Sequence, residues 1–149
     1  MAAALPDRFA WKSNSKSNSR YLRCLKDGIL AFTDDTPNTI FLKEDPKISE
    51  FVNIRLSAGT GLYLEGVDSK KNEEPTILIT ATAAKANNNQ PDVKCTLFEP
   101  KLIDAEHLVF RFIHVHSKLF LMPDKDERLY ANGKEPDANG NDLFTVESK

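Results

Sequence analysis

Alternation constrains this sequence more than any other feature: apolar residues recur at every second position in short runs, and Gly, Pro, Asn and Asp bound those runs. A period of two marks a strand with one buried face, because successive side chains leave a strand on opposite sides. Val52 to Ser57 is the clearest case, with Val52, Ile54 and Leu56 expected inward and Asn53, Arg55 and Ser57 outward. The same reading places Leu22 and Cys24, Leu62 and Leu64, and Ile77 and Ile79 on inner faces. About a dozen such runs follow one another, at 9–12, 20–25, 29–33, 38–42, 52–57, 61–66, 75–81, 94–101, 108–114, 118–122, 128–131 and 143–147. Turn chemistry lies between them at Lys26-Asp27-Gly28, at 57–61, at Asn132-Gly133 and at Asn139-Gly140-Asn141. Only the Ala-rich stretch 80–86 has helical character, and without an apolar stripe it predicts at most a helical turn in a loop. The expected class is all-β. Grouped in fours, the runs form blocks 9–42, 52–101 and 108–147, as a β-trefoil of about twelve strands in three four-strand units requires; a β-sandwich fits the periodicity equally well.

Composition narrows the function. The 149 residues carry 20 Lys and Arg against 22 Asp and Glu, a net charge of −2, which leaves no cationic excess for nucleic acid. No apolar run approaches the roughly 18 residues that cross a bilayer, and the first residues lack the pattern of a signal peptide, so cytosolic synthesis without membrane insertion is expected. Cys24 and Cys95 are too few for a disulfide framework or a four-ligand zinc site, and their strand positions suit small buried side chains. There is no Asn-x-Ser/Thr acceptor for glycosylation.

Signatures of catalysis are missing. Gly59-Thr60-Gly61 lacks the third glycine and the helix of a dinucleotide fingerprint, and the chain has neither a phosphate loop nor a nucleophile elbow. His114 and His116 could share a metal with Glu99 or His107, but solvated histidines beside a hairpin turn are the stronger expectation. The acid pairs Asp34-Asp35 and Glu73-Glu74, and the group 124–127, read as solvated loop carboxylates. Lys12 to Arg20 reads as a flexible polar loop with too few cations to hold phosphate. Neither metal nor cofactor is implied, and the profile is that of a binding module whose loops stand on a rigid scaffold.

Leu62-Tyr63-Leu64, the charged segment 70–74 and Pro75-Thr76-Ile77-Leu78-Ile79, with the opening Phe9 strand and Asp142-Leu143-Phe144-Thr145-Val146 at the other end, resemble the interleukin-1 family of cytokines. Tyr21-Leu22-Arg23-Cys24-Leu25-Lys26-Asp27-Gly28-Ile29-Leu30-Ala31-Phe32-Thr33-Asp34 is most similar to its interleukin-18 branch. Phe110-Arg111-Phe112 and His116-Ser117-Lys118-Leu119 depart from the family pattern. The resemblance implies a β-trefoil, and with it a monomeric, leaderless cytokine: a cytoplasmic precursor secreted unconventionally, recognised by interleukin-18-type receptor chains with immunoglobulin-like domains and by a soluble binding protein. It implies receptor contacts at Arg23 and Asp27, with Asp34, Asp35, Lys134 and Asp137 as further candidates, and a processing boundary after Asp7 that separates a short segment 1–7 from the domain 8–149. The other reading is a different β-trefoil binding module, a protease inhibitor or a carbohydrate-binding lectin. A lectin is expected to repeat aromatic and polar residues once per unit, a recurrence that the sequence does not display.

Overall fold

The computed structural model describes residues 5–15, 19–71 and 74–149. Twelve strands account for its regular structure: β1 (Arg8–Ser13), β2 (Tyr21–Cys24), β3 (Leu30–Asp34), β4 (Phe41–Glu44), β5 (Val52–Leu56), β6 (Tyr63–Lys71), β7 (Glu74–Ala83), β8 (Leu97–Asp104), β9 (Val109–His114), β10 (Leu119–Pro123), β11 (Leu129–Gly133) and β12 (Phe144–Ser148). Each overlaps one of the alternating runs, though β4, β6 and β8 are displaced or extended toward the C-terminus. No helix occurs among the described residues, and none therefore is long and apolar enough to cross a membrane.

The pairings fall into two systems. β1, β4, β5, β8, β9 and β12 join antiparallel in that order, and β12 returns to β1, which closes a six-strand barrel. The hairpins β2–β3, β6–β7 and β10–β11 hang from β1, β5 and β9. They also meet one another. β11 pairs β7, and bridges join Ile29 to Thr80 and Ala31 to Arg128. A closed barrel capped by three interlocked hairpins is a β-trefoil.

Registers reveal a threefold equivalence that the sequence conceals. Phe9 opposes Phe41, Val52 opposes Phe98 and Phe110 opposes Phe144, so one layer repeats around the axis. Phe41, Phe98 and Phe144 are all fully buried. Below it Leu22, Leu64 and Leu121 occupy equivalent places, each directly after a β-bulge on the second strand of its unit. Burial of these aromatic and aliphatic side chains is the main stabilising contribution, at about 25 cal/mol per Å² of apolar surface. Trp11 lies at the aromatic centre, its ring centroid 4.5 Å from that of Phe112 and 5.7 Å from that of Phe144.

The strand pattern also corrects several local expectations. Residues 80–83 continue β7 against β6 instead of forming a helical turn, because cross-strand pairing outweighs the helix propensity of alanine. Asn132 and Gly133 end β11, with Gly133 opposite Phe120, and do not form a turn. Asn53 is 3% exposed: the loop at 84–96 covers it, and its side-chain carbonyl accepts the Thr96 hydroxyl at 2.7 Å. Cys24 is only partly buried, whereas Cys95 is buried just before β8; both thiols are free, and burial raises both pKa values. Leu5 is buried in the core, and the Asp7 carbonyl accepts the Lys43 amide at 2.9 Å, while the Asp7 side chain is exposed.

Candidate functional site

Two outer clusters repeat by the same register. On the first unit Lys12 opposes Tyr21, and the Tyr21 hydroxyl donates to Glu147 at 2.5 Å while the Lys12 ammonium lies 5.3 Å from the ring centroid. The phenol pKa is pushed up to about 12, chiefly by this hydrogen bond. On the second unit Arg55 opposes Tyr63; both donate to Glu44 at 2.6 Å, and the phenol holds the Glu44 carboxyl below its ordinary value. In the third unit Ile113 opposes Phe120, and Lys101 takes the place of the carboxylate. The aromatic position therefore recurs three times, as Tyr21, Tyr63 and Phe120. Matching the registers, not the residue spacing, exposes this aromatic recurrence, while its polar partner recurs only in the first two units.

An open cleft of about 500 Å³ lies where the first and third units meet. Ser15 comes from the loop after β1, Met122 and Pro123 from the end of β10, Asp124, Lys125 and Glu127 from the following turn, and Asn141 from the loop before β12. The turn is tightly held. The Asp124 amide donates to the Arg128 carbonyl, the Glu127 amide to the Asp124 carbonyl, and Glu127 adopts a left-handed φ of 66°. Gly28 takes the corresponding place in the first hairpin, where its φ is 83°. On the facing wall, the Asp137 carboxylate accepts the Asn141 amide at 2.8 Å. Buried Asp142 accepts the Asp137 amide and pairs with Arg111 at 2.9 Å, anchoring this loop to β9. The cleft thus combines two carboxylates, an ammonium, an amide and a hydroxyl with the apolar surface of Met122 and Pro123.

The six residues expected to contact a receptor are dispersed. Arg23 on β2 is exposed and pairs at 3.5 Å with Asp34 on β3. Asp34 is not a solvated loop acid: it is 7% exposed and also accepts the Asn38 amide, because it ends a strand under the following loop. Asp35 pairs with Arg20 at 3.6 Å. Asp27 sits at the exposed hairpin turn, at the other end of β2 and β3. Lys134 is exposed, while Asp137 shapes the loop that carries Asn141. Of the other acids, Glu73 lies outside the described residues, as do 16–18 of the polar segment; Asp124 and Glu127 contribute to the cleft.

His114 does not match the solvated reading. His114 is fully buried against Phe98, with ring centroids 5.5 Å apart, and burial lowers its pKa to about 4. Its Nδ1 lies 3.0 Å from the Ser117 hydroxyl. His116 Nδ1 instead donates to the Gln90 carbonyl at 2.8 Å, fastening the 84–96 loop, and His107 pairs with Asp104. Among the described residues no group of three His, Cys, Asp or Glu side chains could hold a metal.

No protein-family model matches the chain, and no curated protein matches it. Solved structures do share the fold. A salivary protein from Culex quiquefasciatus, of the Cysteine and Tryptophan-Rich family, aligns with a TM-score of 0.70 at 12% identity, covering 97% of this chain and 94% of its own. A Kunitz-type cysteine protease inhibitor, PCPI-3 from potato, aligns with a TM-score of 0.62, also at 12% identity, covering 97% and 90%. The chain is a β-trefoil.

Proposed function

We propose that the protein is a carbohydrate-binding β-trefoil module, with the cleft between the first and third units as its sugar site. The cleft itself carries the reading. A sugar presents closely spaced hydroxyls that both donate and accept, and Asp124, Glu127, Asn141, Ser15 and Lys125 offer complementary acceptors and donors within one groove. Met122 and Pro123 offer an apolar strip to the C–H face of a pyranose ring. A turn and a loop fixed by their own hydrogen bonds hold these groups in advance of binding, which limits the entropy lost on association.

The test is binding of the purified protein to a panel of immobilised glycans, followed by titration of any hit against Asp124→Asn and Asn141→Ala. At least a tenfold weaker affinity is expected for each variant, with melting temperatures within a few degrees of the parent. Absence of saturable glycan binding, or retention of full affinity by both variants, overturns the reading.

A protease inhibitor is the second reading, favoured by one observation: Leu102 and Ile103 stand exposed at the end of β8, where the register shifts, as an apolar anchor for a protease would. Inhibition of a cysteine protease that is lost in Ile103→Asp would support it. The cytokine reading rests on the sequence resemblance alone. Unchanged binding of Arg23→Glu and Asp27→Lys variants to an interleukin-18-type receptor ectodomain would remove both residues from that site.

A further inference from the structure

On its outer face the third unit departs from the other two. Where the first and second hold a carboxylate beside a tyrosine and a cation, the third has Ile113, Phe120 and Lys101. A separate pocket of about 310 Å³ opens at these positions, lined by Phe51, Gln90, Glu99, Lys101, Ile113, Val115 and Lys118. Phe51 and Val115 belong to a small hydrophobic cluster with Cys95, Leu97 and Ile48, distinct from the main core, and they give the pocket an apolar floor. Two ammonium groups stand at its edge. Lys101 is 3.6 Å from Glu99, which leaves one positive charge in excess from Lys118. Beyond Lys101 along β8 come Leu102 and Ile103, exposed at 42% and 48%.

From this arrangement we infer that the pocket captures the C-terminal residue of a peptide, with an apolar side chain against Phe51, Ile113 and Val115 and the terminal carboxylate at Lys118 and Lys101. Charge complementarity selects the ligand: an apolar pocket with a net cationic edge favours an apolar group that carries its own carboxylate. Ile103 stands exposed just beyond Lys101 on β8, an apolar contact for the preceding residues of a peptide that an isolated small acid would lack. A pocket of this size accommodates one large side chain, within the lower range of ligand sites.

The repeats also supply a variant expected to fold. Ile113→Arg places in the third unit a cation of the kind that Lys12 and Arg55 hold in the others, and it blocks the pocket. The experiment is calorimetric titration of the full chain with acetyl-Gly-Gly-Ser-Phe as the free acid and as the amide. The acid should bind at least tenfold more tightly than the amide. Ile113→Arg should lose at least tenfold in affinity for the acid, and Lys118→Gln should bring the acid down toward the amide while leaving the amide unchanged. Equal affinity for acid and amide, no saturable binding, or full retention by Lys118→Gln overturns the proposal. So does 3-phenylpropanoate binding as tightly as the peptide. This site is separate from the sugar cleft, and either can fail without the other.

Discussion

The first two units each close their outer wall with a tyrosine that donates to a carboxylate beside a cation, at Tyr21, Glu147 and Lys12 and at Tyr63, Glu44 and Arg55; the third unit, with Phe120, Lys101 and Ile113 in those places, leaves a pocket. Inside the barrel two sets of positions repeat without change, since Phe41, Phe98 and Phe144 fill one layer and Leu22, Leu64 and Leu121 another. The inner positions must fill a shared volume at near-crystalline density, so each constrains the others. Outer positions face water or a loop. They can exchange a polar cluster for a binding surface at small cost to stability.

Truncations in the shared layer should break the molecule most severely. Phe144→Ala removes a ring near Trp11, Phe32 and Phe112 and is expected to cost about 4 kcal/mol; Phe98→Ala, whose ring neighbour is His114, should cost less, about 3 kcal/mol. Chemical denaturation of both measures the difference, and a larger loss at Phe98 would contradict this account of the layer.

The next largest effect is acid sensitivity of the third unit. His114 stands where the other units have Ser13 and Leu56, and its pKa falls from 6.5 in the unfolded chain to about 4 when folded. Between those values the unfolded chain binds more protons, so stability is complete above about pH 6.5 and declines as the pH falls toward 4. The loss reaches up to about 3 kcal/mol, at about 1.4 kcal/mol per pKa unit. His114→Leu should flatten that part of the profile in melts between pH 4 and 7, and a profile unchanged by the substitution would remove His114 as its source.

The outer clusters should give smaller effects. Tyr21→Phe and Tyr63→Phe each remove a hydrogen bond to a carboxylate and should cost about 1 kcal/mol, whereas Phe120→Tyr has no carboxylate to reach and should change stability by less than about 0.5 kcal/mol. A double-mutant cycle of Tyr63 with Glu44 checks the coupling directly. Smallest of all, Ile113→Arg should shift stability by about 0.5 kcal/mol or less, because Ile113 is only half-buried and Glu99 lies directly opposite it to pair with the new cation.

The twelve strands were legible because each leaves a period of two in the chain, from Phe9 to Val146. The threefold register was not. Loops of unequal length follow the first strand of each unit, at 14–20, 57–62 and 115–118, and the longer β6–β7 hairpin and the 84–96 loop extend the second unit, so equivalent residues fall out of step. Tyr21, Tyr63 and Phe120 therefore escaped notice as a set. The buried states of Asn53 and His114 were hidden for another reason: alternation reports which face of a strand a residue takes, not whether a distant loop covers it. The cleft was invisible too, since Ser15, Asp124 and Asn141 meet only through the closure of the fold.

Barrel closure has a consequence for how the protein is made. β12 pairs with β1 along five residues, uniting the first and last strands in the order of synthesis. Until β12 leaves the ribosome, Phe9 and Trp11 lack the neighbour that seals that side of the barrel, and an unpaired strand edge stays open to other chains. Such a long-range pairing delays folding, so the interval between synthesis of β1 and of β12 is the period when the nascent chain is most exposed to aggregation and most in need of a chaperone.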